Sequence, residues 1–359
     1  MTHDTLSDVL RTVRLRGAVF YYVSHRDRWA AEAPPAREIA AAVMPGAEHV
    51  IEYHLVAKGG GWAAVSGLNP VRLAAGDIVM FPQGDAHVMS SAPGLQPQRI
   101  DANWVFETRD QPKPIPIAFH YGVAQPGTPA PIEHADSILV CGFIGCDLRP
   151  FNPLIAALPR LLHIPAARAG DWIARVIEQA AVESRAPGPG SDAVLARISE
   201  MAFVDAVRRY VESLPDPADG WLAGLRDRFV GHALALLHEM PAAPWTLDEL
   251  GRQVGLSRSA LHERFVQFIG APPMQYLTRW RMQLASNLLR STNTNVASIA
   301  LEVGYDSEAA FARAFKRAVG LPPAAWRKAD GGNDEQEPEC GTRLRGRAGG
   351  RRTAGARVA

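Results

Sequence analysis

Cysteine is scarce in this chain, with three residues in 359, at Cys141, Cys146 and Cys340. So small and odd a number excludes the disulfide framework of a compact secreted domain. On one continuous strand, Cys141 and Cys146 would stand about 16 Å apart, beyond the ~7 Å that a bridge tolerates. Buried thiols are the expectation, with a redox or metal role as the alternative. Long apolar runs are missing too. None approaches the ~18–20 residues of a membrane span. The stretch MTHDTLSDVLRTVRLRG carries Asp4, Asp8 and several arginines where a signal peptide needs apolar residues. A cytoplasmic protein with no membrane partner is expected. Net charge is almost absent as well, at +1.

What is present is a globular composition, 47% hydrophobic and 21% charged, which excludes disordered and collagen-like chains. The length exceeds the usual single domain, so two domains are expected. The balanced charge hides an asymmetry. Residues 1–225 hold 19 Lys/Arg against 24 Asp/Glu, whereas residues 226–328 hold 13 against 8. A basic module after an acidic one suggests that the second half meets a polyanion.

The text changes character along the chain. Leu6–Leu15 has one-face helical spacing. From Gly17 to about Phe143, short runs such as GAVFYYV, HVIEYHLVA, GWAAV, GDIVMFP, AHVMS, IAFHYGV and SILVCGF alternate with Gly, Pro, Asn and Asp. That spacing predicts a sandwich or barrel. After Pro150 the pattern turns helical, over Asp171–Arg185 and Ala193–Leu214, with Ser191 and Asp192 as candidate N-caps. These two helices could cover the β-domain or pair with a second subunit. PDPADG (215–220) is the candidate domain boundary. From Ala329 the chain is Gly- and Arg-rich without periodicity, and disorder is expected there.

The C-terminal module repeats itself. LGRQVGLSRSALHERFVQFIGAPPMQYL (250–277) and IALEVGYDSEAAFARAFKRAVGLPPAAW (299–326) share a small residue (Gly251, Ala300) and a turn glycine (Gly255, Gly304). Both continue with a residue that opens a helix (Ser257, Asp306), an apolar anchor pair (Leu261 and Phe265, Phe311 and Phe315) and a closing Gly with two prolines. Each unit fits a helix–turn–helix, in which the small residue admits close helix approach and the glycine takes the positive φ of the turn. Between them PPMQYLTRWRMQLASNLLRST predicts a joining helix spanning roughly 25–29 Å. That approaches the ~34 Å between successive major grooves on one face of DNA.

On WTLDELGRQVGLSRSALHERF, PPMQYLTRWRMQLASNLLR and VASIALEVGYDSEAAFARAFKRAVGLPPAAWR, residues 245–327 resemble the DNA-binding domain of the AraC/XylS transcription regulators. Gly251 departs from the Ala usual in that family. The resemblance implies groove-facing residues Arg258, Ser259, His262, Glu263 and Arg264 in the first unit, and Ser307, Glu308, Ala309, Ala312 and Arg313 in the second. Arg suits guanine, Glu can accept from cytosine, and Ala or Ser can approach a thymine methyl. Arg279, Arg281, Arg290, Lys316, Arg317, Arg327 and Lys328 read as phosphate neutralisers.

GDIVMFPQGDAH (76–87) fits G-x5-P-x-G-x2-H, the second motif of the cupin β-barrel, and aims His87 inward. The stretch from Leu6 to about Cys146 thus resembles the cupin-like ligand domain found in some AraC-type regulators. WLAGLRDRFVGHALALLHEMP (221–241) resembles the helix opening their DNA-binding half. A catalytic cupin would want His-x-His and a Glu in its first motif. Here His54 stands without a second histidine two residues away, and Glu52, His49 and His120 do not match the spacing. His54 and His87 are expected to line a pocket with Trp62 and Phe81, and no cofactor or metal is expected.

The expected fold is therefore two-domain α+β: a cupin-like β-barrel (1–149), a helical linker that could dimerise (150–220), a double helix–turn–helix domain (221–328) and a tail (329–359). The implied function is sequence-specific transcription regulation, with the barrel sensing a small-molecule or redox signal. Implied partners are promoter DNA, RNA polymerase, an effector and a second copy of the chain. A cupin metalloenzyme fused to a DNA-binding domain is the alternative.

Overall fold

The computed structural model describes residues 3–120, 123–126, 134–216 and 218–331; most of the expected tail, residues 332–359, lies outside them. The first half runs α1 (Thr5–Thr12), β1 (Arg16–His25), β2 (Ala30–Ala33), α2 (Ala36–Val43), β3 (His49–Lys58), β4 (Gly60–Val65), β5 (Val71–Ala74) and β6 (Ile78–Phe81). It continues through β7 (His87–Ser90), β8 (Gln98–Arg99), α3 (Ala102–Thr108), β9 (Ile115–His120), β10 (Val123–Pro126) and β11 (Ser137–Cys146). Then come α4 (Pro153–Ala157), β12 (Leu162–Ile164), α5 (Ala166–Arg185) and α6 (Ser191–Ser213).

The strands form a seven-stranded sheet, β10-β9-β1-β11-β3-β6-β12, and a five-stranded sheet, β5-β4-β7-β2-β8. Among the described residues no ladder joins the two, so the β-domain is an open sandwich rather than the expected closed barrel. Strand alternation sorts its side chains. Ile51, Tyr53 and Leu55 of β3 and Val140 and Ile144 of β11 point outward into one core. Val56 of β3 and Leu139 and Cys141 of β11 face the second sheet and pack with Ala63, Val65 and Met89.

Helices α5 and α6 cover the outer face of the large sheet. Ile177, Ala180, Leu195, Ala202 and Phe203 join the same core as Tyr53, and the Tyr53 hydroxyl lies 2.5 Å from Ser199 Oγ. Gly17 makes the approach close: a Cβ there would fall 2.5 Å from Ala196 O and from Ser199 Cβ. Of the two readings open in the sequence, covering the β-domain is the one the fold adopts. Helix α6 starts after Gly190, its N-cap residue at φ +86°, rather than on a Ser191 or Asp192 cap. Ser191 Oγ instead accepts from Gly188 N and donates to Glu183.

The second half is helical: α7 (Trp221–Gly224), α8 (Val230–Glu239), α9 (Leu247–Val254), α10 (Arg258–Ile269), α11 (Pro273–Ser291), α12 (Val296–Glu302), α13 (Glu308–Val319) and α14 (Pro323–Gly331). The helix expected over 221–241 is broken in two, because Asp227 Oδ1 accepts from Phe229 N and Val230 N and restarts the chain as α8. Helix α11 runs through both bundles. Leu277 and Trp280 pack with Leu250, Leu261 and Phe265, while Met282, Ala285 and Leu289 pack with Ile299, Phe311, Phe315 and Trp326. The same helix docks on the sandwich, where Asn287 Nδ2 donates to Thr12 O at 2.6 Å and Gln283 Oε1 accepts from Phe151 N at 2.9 Å.

Candidate nucleic-acid interface and internal cavity

Each helix–turn–helix is assembled from the signals of its sequence. In the first, Thr246 caps α9, Gly255 takes φ +78° at the turn, and Ser257 Oγ accepts from Ala260 N to start α10. Gly251 suits this close approach, since a Cβ would lie 2.8 Å from Leu256 O. In the second, Asn295 caps α12, Gly304 takes φ +84°, and Ser307 Oγ accepts from Ala310 N. The cap of α13 is thus Ser307, one position beyond the expected Asp306, because this turn is one residue longer.

Helices α10 and α13 turn their apolar anchors inward and leave the candidate reading residues outside. Arg258, Ser259, His262, Glu263 and Arg264 are exposed, as are Ser307, Glu308, Ala309, Arg313 and Lys316; Ala312 is half-buried. Exposure does not mean availability in every case. Arg264 forks onto Asp227, donating from Nε at 3.0 Å and from Nη2 at 2.5 Å. Burial pushes the Asp227 carboxyl up, but the bonds from Arg264, Val230 N and Phe229 N outweigh it and hold the group below its ordinary range.

The cations expected on phosphates divide sharply. Arg281 donates to Pro241 O at 2.7 Å, Ala243 O at 2.8 Å and Gly304 O at 3.1 Å. It braces α11 against the loop before α9 and the turn before α13. Arg290 is buried against Glu48 and Asp147, and Arg327 donates to Leu289 O and Thr294 O. By contrast Arg279, Lys316, Arg317 and Lys328 are exposed. Sequence chemistry alone does not distinguish a guanidinium that reaches solvent from one that caps carbonyls.

Inside the sandwich lies a cavity of about 380 Å³, lined among others by His54, His87, Glu52 and Cys141. His54 and His87 meet there, with Nε2 atoms 2.8 Å apart. Their tautomers follow from their neighbours. His87 Nδ1 faces Asp85 O at 3.1 Å, so it carries the proton and donates. His87 Nε2 then accepts from His54 Nε2, which leaves His54 Nδ1 as a buried acceptor without a hydrogen-bond partner. Burial disfavours the charged rings, pushing His87 down to about 4 and His54 well below its ordinary value.

Two expected lining residues are placed elsewhere. Phe81 is fully buried and stacks on His87 with ring centroids 3.6 Å apart, supporting the ring from behind. Trp62 is half-buried on β4, where Ala63 and Val65 are the core-facing residues, so it lies one step out of phase with the cavity. The aromatic wall consists instead of Tyr21, Trp29, Trp104, Phe119 and Phe143. Tyr21, Phe119 and Phe143 sit on strands read from the sequence, but their inward phase needed the register of β1, β9 and β11. Trp29 directly precedes β2 and Trp104 lies on α3, segments that carry no clear periodicity.

Cys141 and Cys146 are buried and unbridged. Burial pushes both thiols up, Cys146 to about 12, away from the thiolate that redox chemistry requires. His49 Nε2 donates to Pro82 O at 2.6 Å, and the side chain of His120 lies outside the described residues. Among the described residues no group of three or more His, Cys, Asp or Glu is arranged to hold a metal ion. No described helix is long and apolar enough to cross a membrane.

Comparison with known proteins agrees with this division. Residues 4–212 match the family model described as cupin, and residues 250–329 match the one described as helix-turn-helix domain. The cupin match thus includes α5 and α6. The chain is 32% identical over 330 residues to a putative AraC-like transcription regulator of Streptomyces lividans, covering 90% of this chain and 98% of the relative. It is 28% identical over 328 residues to the transcriptional regulator AlkR of Acinetobacter baylyi, covering 90% of this chain and 99% of that protein. Among solved structures, the DNA-binding domain of AdpA in complex with a target DNA is 27% identical, with a TM-score of 0.29, and covers 31% of this chain and 99% of that one. With its cupin half and its paired helix–turn–helix half, the chain belongs to the AraC-like family of DNA-binding transcription regulators.

Proposed function

We propose that the chain is an effector-responsive regulator in which residues 1–149, with the helices of 150–220, sense a small molecule and residues 221–328 read promoter DNA. The observation that carries this reading is the 19-residue helix α11, which spaces two duplicated helix–turn–helix units while docking on the sandwich that holds the cavity. Its length, about 28 Å at 1.5 Å per residue, lets α10 and α13 enter successive major grooves on one face of the duplex.

Within this reading Arg258, Ser259, His262, Glu263, Ser307, Glu308, Ala309, Ala312 and Arg313 approach base edges. Arg279, Lys316, Arg317 and Lys328 neutralise phosphates. Arg264 and Arg281 position the reading helices rather than touch DNA. An effector in the cavity acts through α11, by the difference in its affinity for two arrangements of the halves. A homodimer would present four reading helices to a paired operator, and RNA polymerase is the partner through which such binding becomes transcription.

The test is binding of the full chain to the DNA flanking its own gene, followed by fluorescence anisotropy across a salt series. Specific binding whose logarithm falls steeply with log salt is expected from counterion release. Salt-insensitive binding, or none to any flanking fragment, would reject the reading.

A further inference from the structure

Glu52 is the anomaly of the cavity. It stands mid-strand on β3, between Ile51 and Tyr53, and is 4% exposed. Its Oε1 has no hydrogen-bond partner, and no cation pairs with it among the described residues. Burial alone pushes this carboxyl well above its ordinary range. A buried carboxyl without a partner costs free energy that an apolar residue at the same place would not.

The walls around it are aromatic. Tyr21 and Trp104 stack with centroids 5.5 Å apart, and Trp29 meets Phe119 at 4.9 Å. Ring faces of this kind attract cations. Among the other unpartnered lining atoms, His54 Nδ1 is also an acceptor, the Tyr21 hydroxyl can accept or donate, and Trp29 Nε1 only donates. The titratable groups lining the cavity beside Glu52 are His54 on the same strand and His87, Cys141 and Tyr21 on neighbouring strands, and burial disfavours the charged form of each. Arg99 and Asp101, both exposed and opposite in charge, border the cavity from β8 and the start of α3.

We propose that the cavity binds an organic cation, an ammonium or protonated amine on an apolar body, with Glu52 as its counter-ion and the aromatic wall as its cage. The inference rests on the sensor reading of the cavity and adds the chemical class of the effector. Binding couples to ionisation: Glu52 passes its proton to solvent as the cation arrives, and the pair enters the cavity neutral.

The experiment uses three naphthalene probes on the full chain: a (naphthylmethyl)trimethylammonium, its neutral isostere with carbon in place of nitrogen, and naphthylacetate. Calorimetry in buffers of different ionisation heat gives affinity and protons released. Expected for the unaltered chain is at least tenfold tighter binding of the cation than of the isostere, with up to one proton released. Glu52→Gln, which keeps the volume, should abolish both the preference and the release. The proton count in the unaltered chain tests the proposal even where that variant does not fold. Equal affinity for cation and isostere, or tightest binding of naphthylacetate, overturns the cationic class while leaving a sensing cavity. Failure of all three probes to bind overturns both readings. A Glu52-dependent cation that leaves operator affinity unchanged sustains the site and removes its regulatory role.

Discussion

The Arg290 guanidinium, near the end of α11, lies 3.0 Å from the Glu48 carboxylate and 3.3 Å from that of Asp147. Both acids belong to the sandwich, so one reader side chain is clasped by the two ends of adjacent strands β3 and β11. The pair is nearly dry, with Arg290 7%, Glu48 12% and Asp147 6% exposed. The guanidinium also covers the Trp326 ring, 4.2 Å from its centroid, and so touches the second helix–turn–helix. Arg14 and Arg149 back the two acids from the sandwich side.

Arg290→Met should therefore loosen the halves from each other. Breaking a buried ion pair costs about 3–5 kcal/mol, and the remaining arginines place the expected loss near the lower end. Thermal and urea melts would read it, and faster proteolysis between residues 214 and 221 should accompany it. A melt unchanged from the parent would show that the clasp adds nothing to the docking.

Division of labour in the reader gives a second prediction. Arg313→Ala should relax base preference at one or two operator positions, each by about 1–3 kcal/mol, with no change in melting. Arg281→Ala should instead lower the melting temperature, because three backbone carbonyls lose their donor. Arg281→Lys should not restore it, since one ammonium cannot span the fork of a guanidinium. Competition binding on single-base operator variants, beside melts, separates the two. Base relaxation in the Arg281 variant would mean that its brace is not its main role.

The reader was the more legible half, because its signals are local. Gly255, Ser257 and the Leu261–Phe265 pair in one unit, and Gly304 and the Phe311–Phe315 pair in the other, each act within a dozen residues, so spacing specifies geometry. The partners of Arg281 and Arg264 at Gly304 and Asp227 lie 23 and 37 residues away, so local spacing does not show them. The sandwich was less legible for the same reason. His54 and His87 could be paired through a motif. The phase of Trp62 depends on a ladder with β7, where it faces Ser90, and Trp29 enters the cavity only because β2 crosses to the smaller sheet.

Gly17 tests the docking of α6. Its absent side chain leaves room for the Ala196 carbonyl, so Gly17→Ala forces a helix away from β1. Overpacking of this kind costs about 1–3 kcal/mol. The Tyr53–Ser199 hydrogen bond across the same interface should weaken with it. A urea melt of the full chain checks the stability, and amide exchange should show faster opening over residues 191–213 than elsewhere. Unchanged protection there would mean that α6 can shift without cost.

The cavity titrations predict opposite pH trends for neighbouring side chains. Burial holds His87 down to about 4, against 6.5 for the free ring, and holds His54 down as well. Below 6.5 the unfolded chain takes up protons that these folded rings refuse. Their contribution is complete above that pH and is lost as pH falls, for His87 toward about 4. For His87 the loss amounts to about 3 kcal/mol, at ~1.4 kcal/mol per pH unit. Glu52 runs the other way. Its raised value means that the unfolded chain releases a proton above about 4.5 while the folded carboxyl keeps its own. Its contribution is therefore complete at acid pH and declines as pH rises. Urea melts across pH 4.5–8 should show His87→Gln closing its stability gap to the parent as pH falls, and Glu52→Gln gaining on the parent as pH rises. Parallel curves for parent and variants would mean that both groups titrate normally, and that the cavity is wetter than its lining implies.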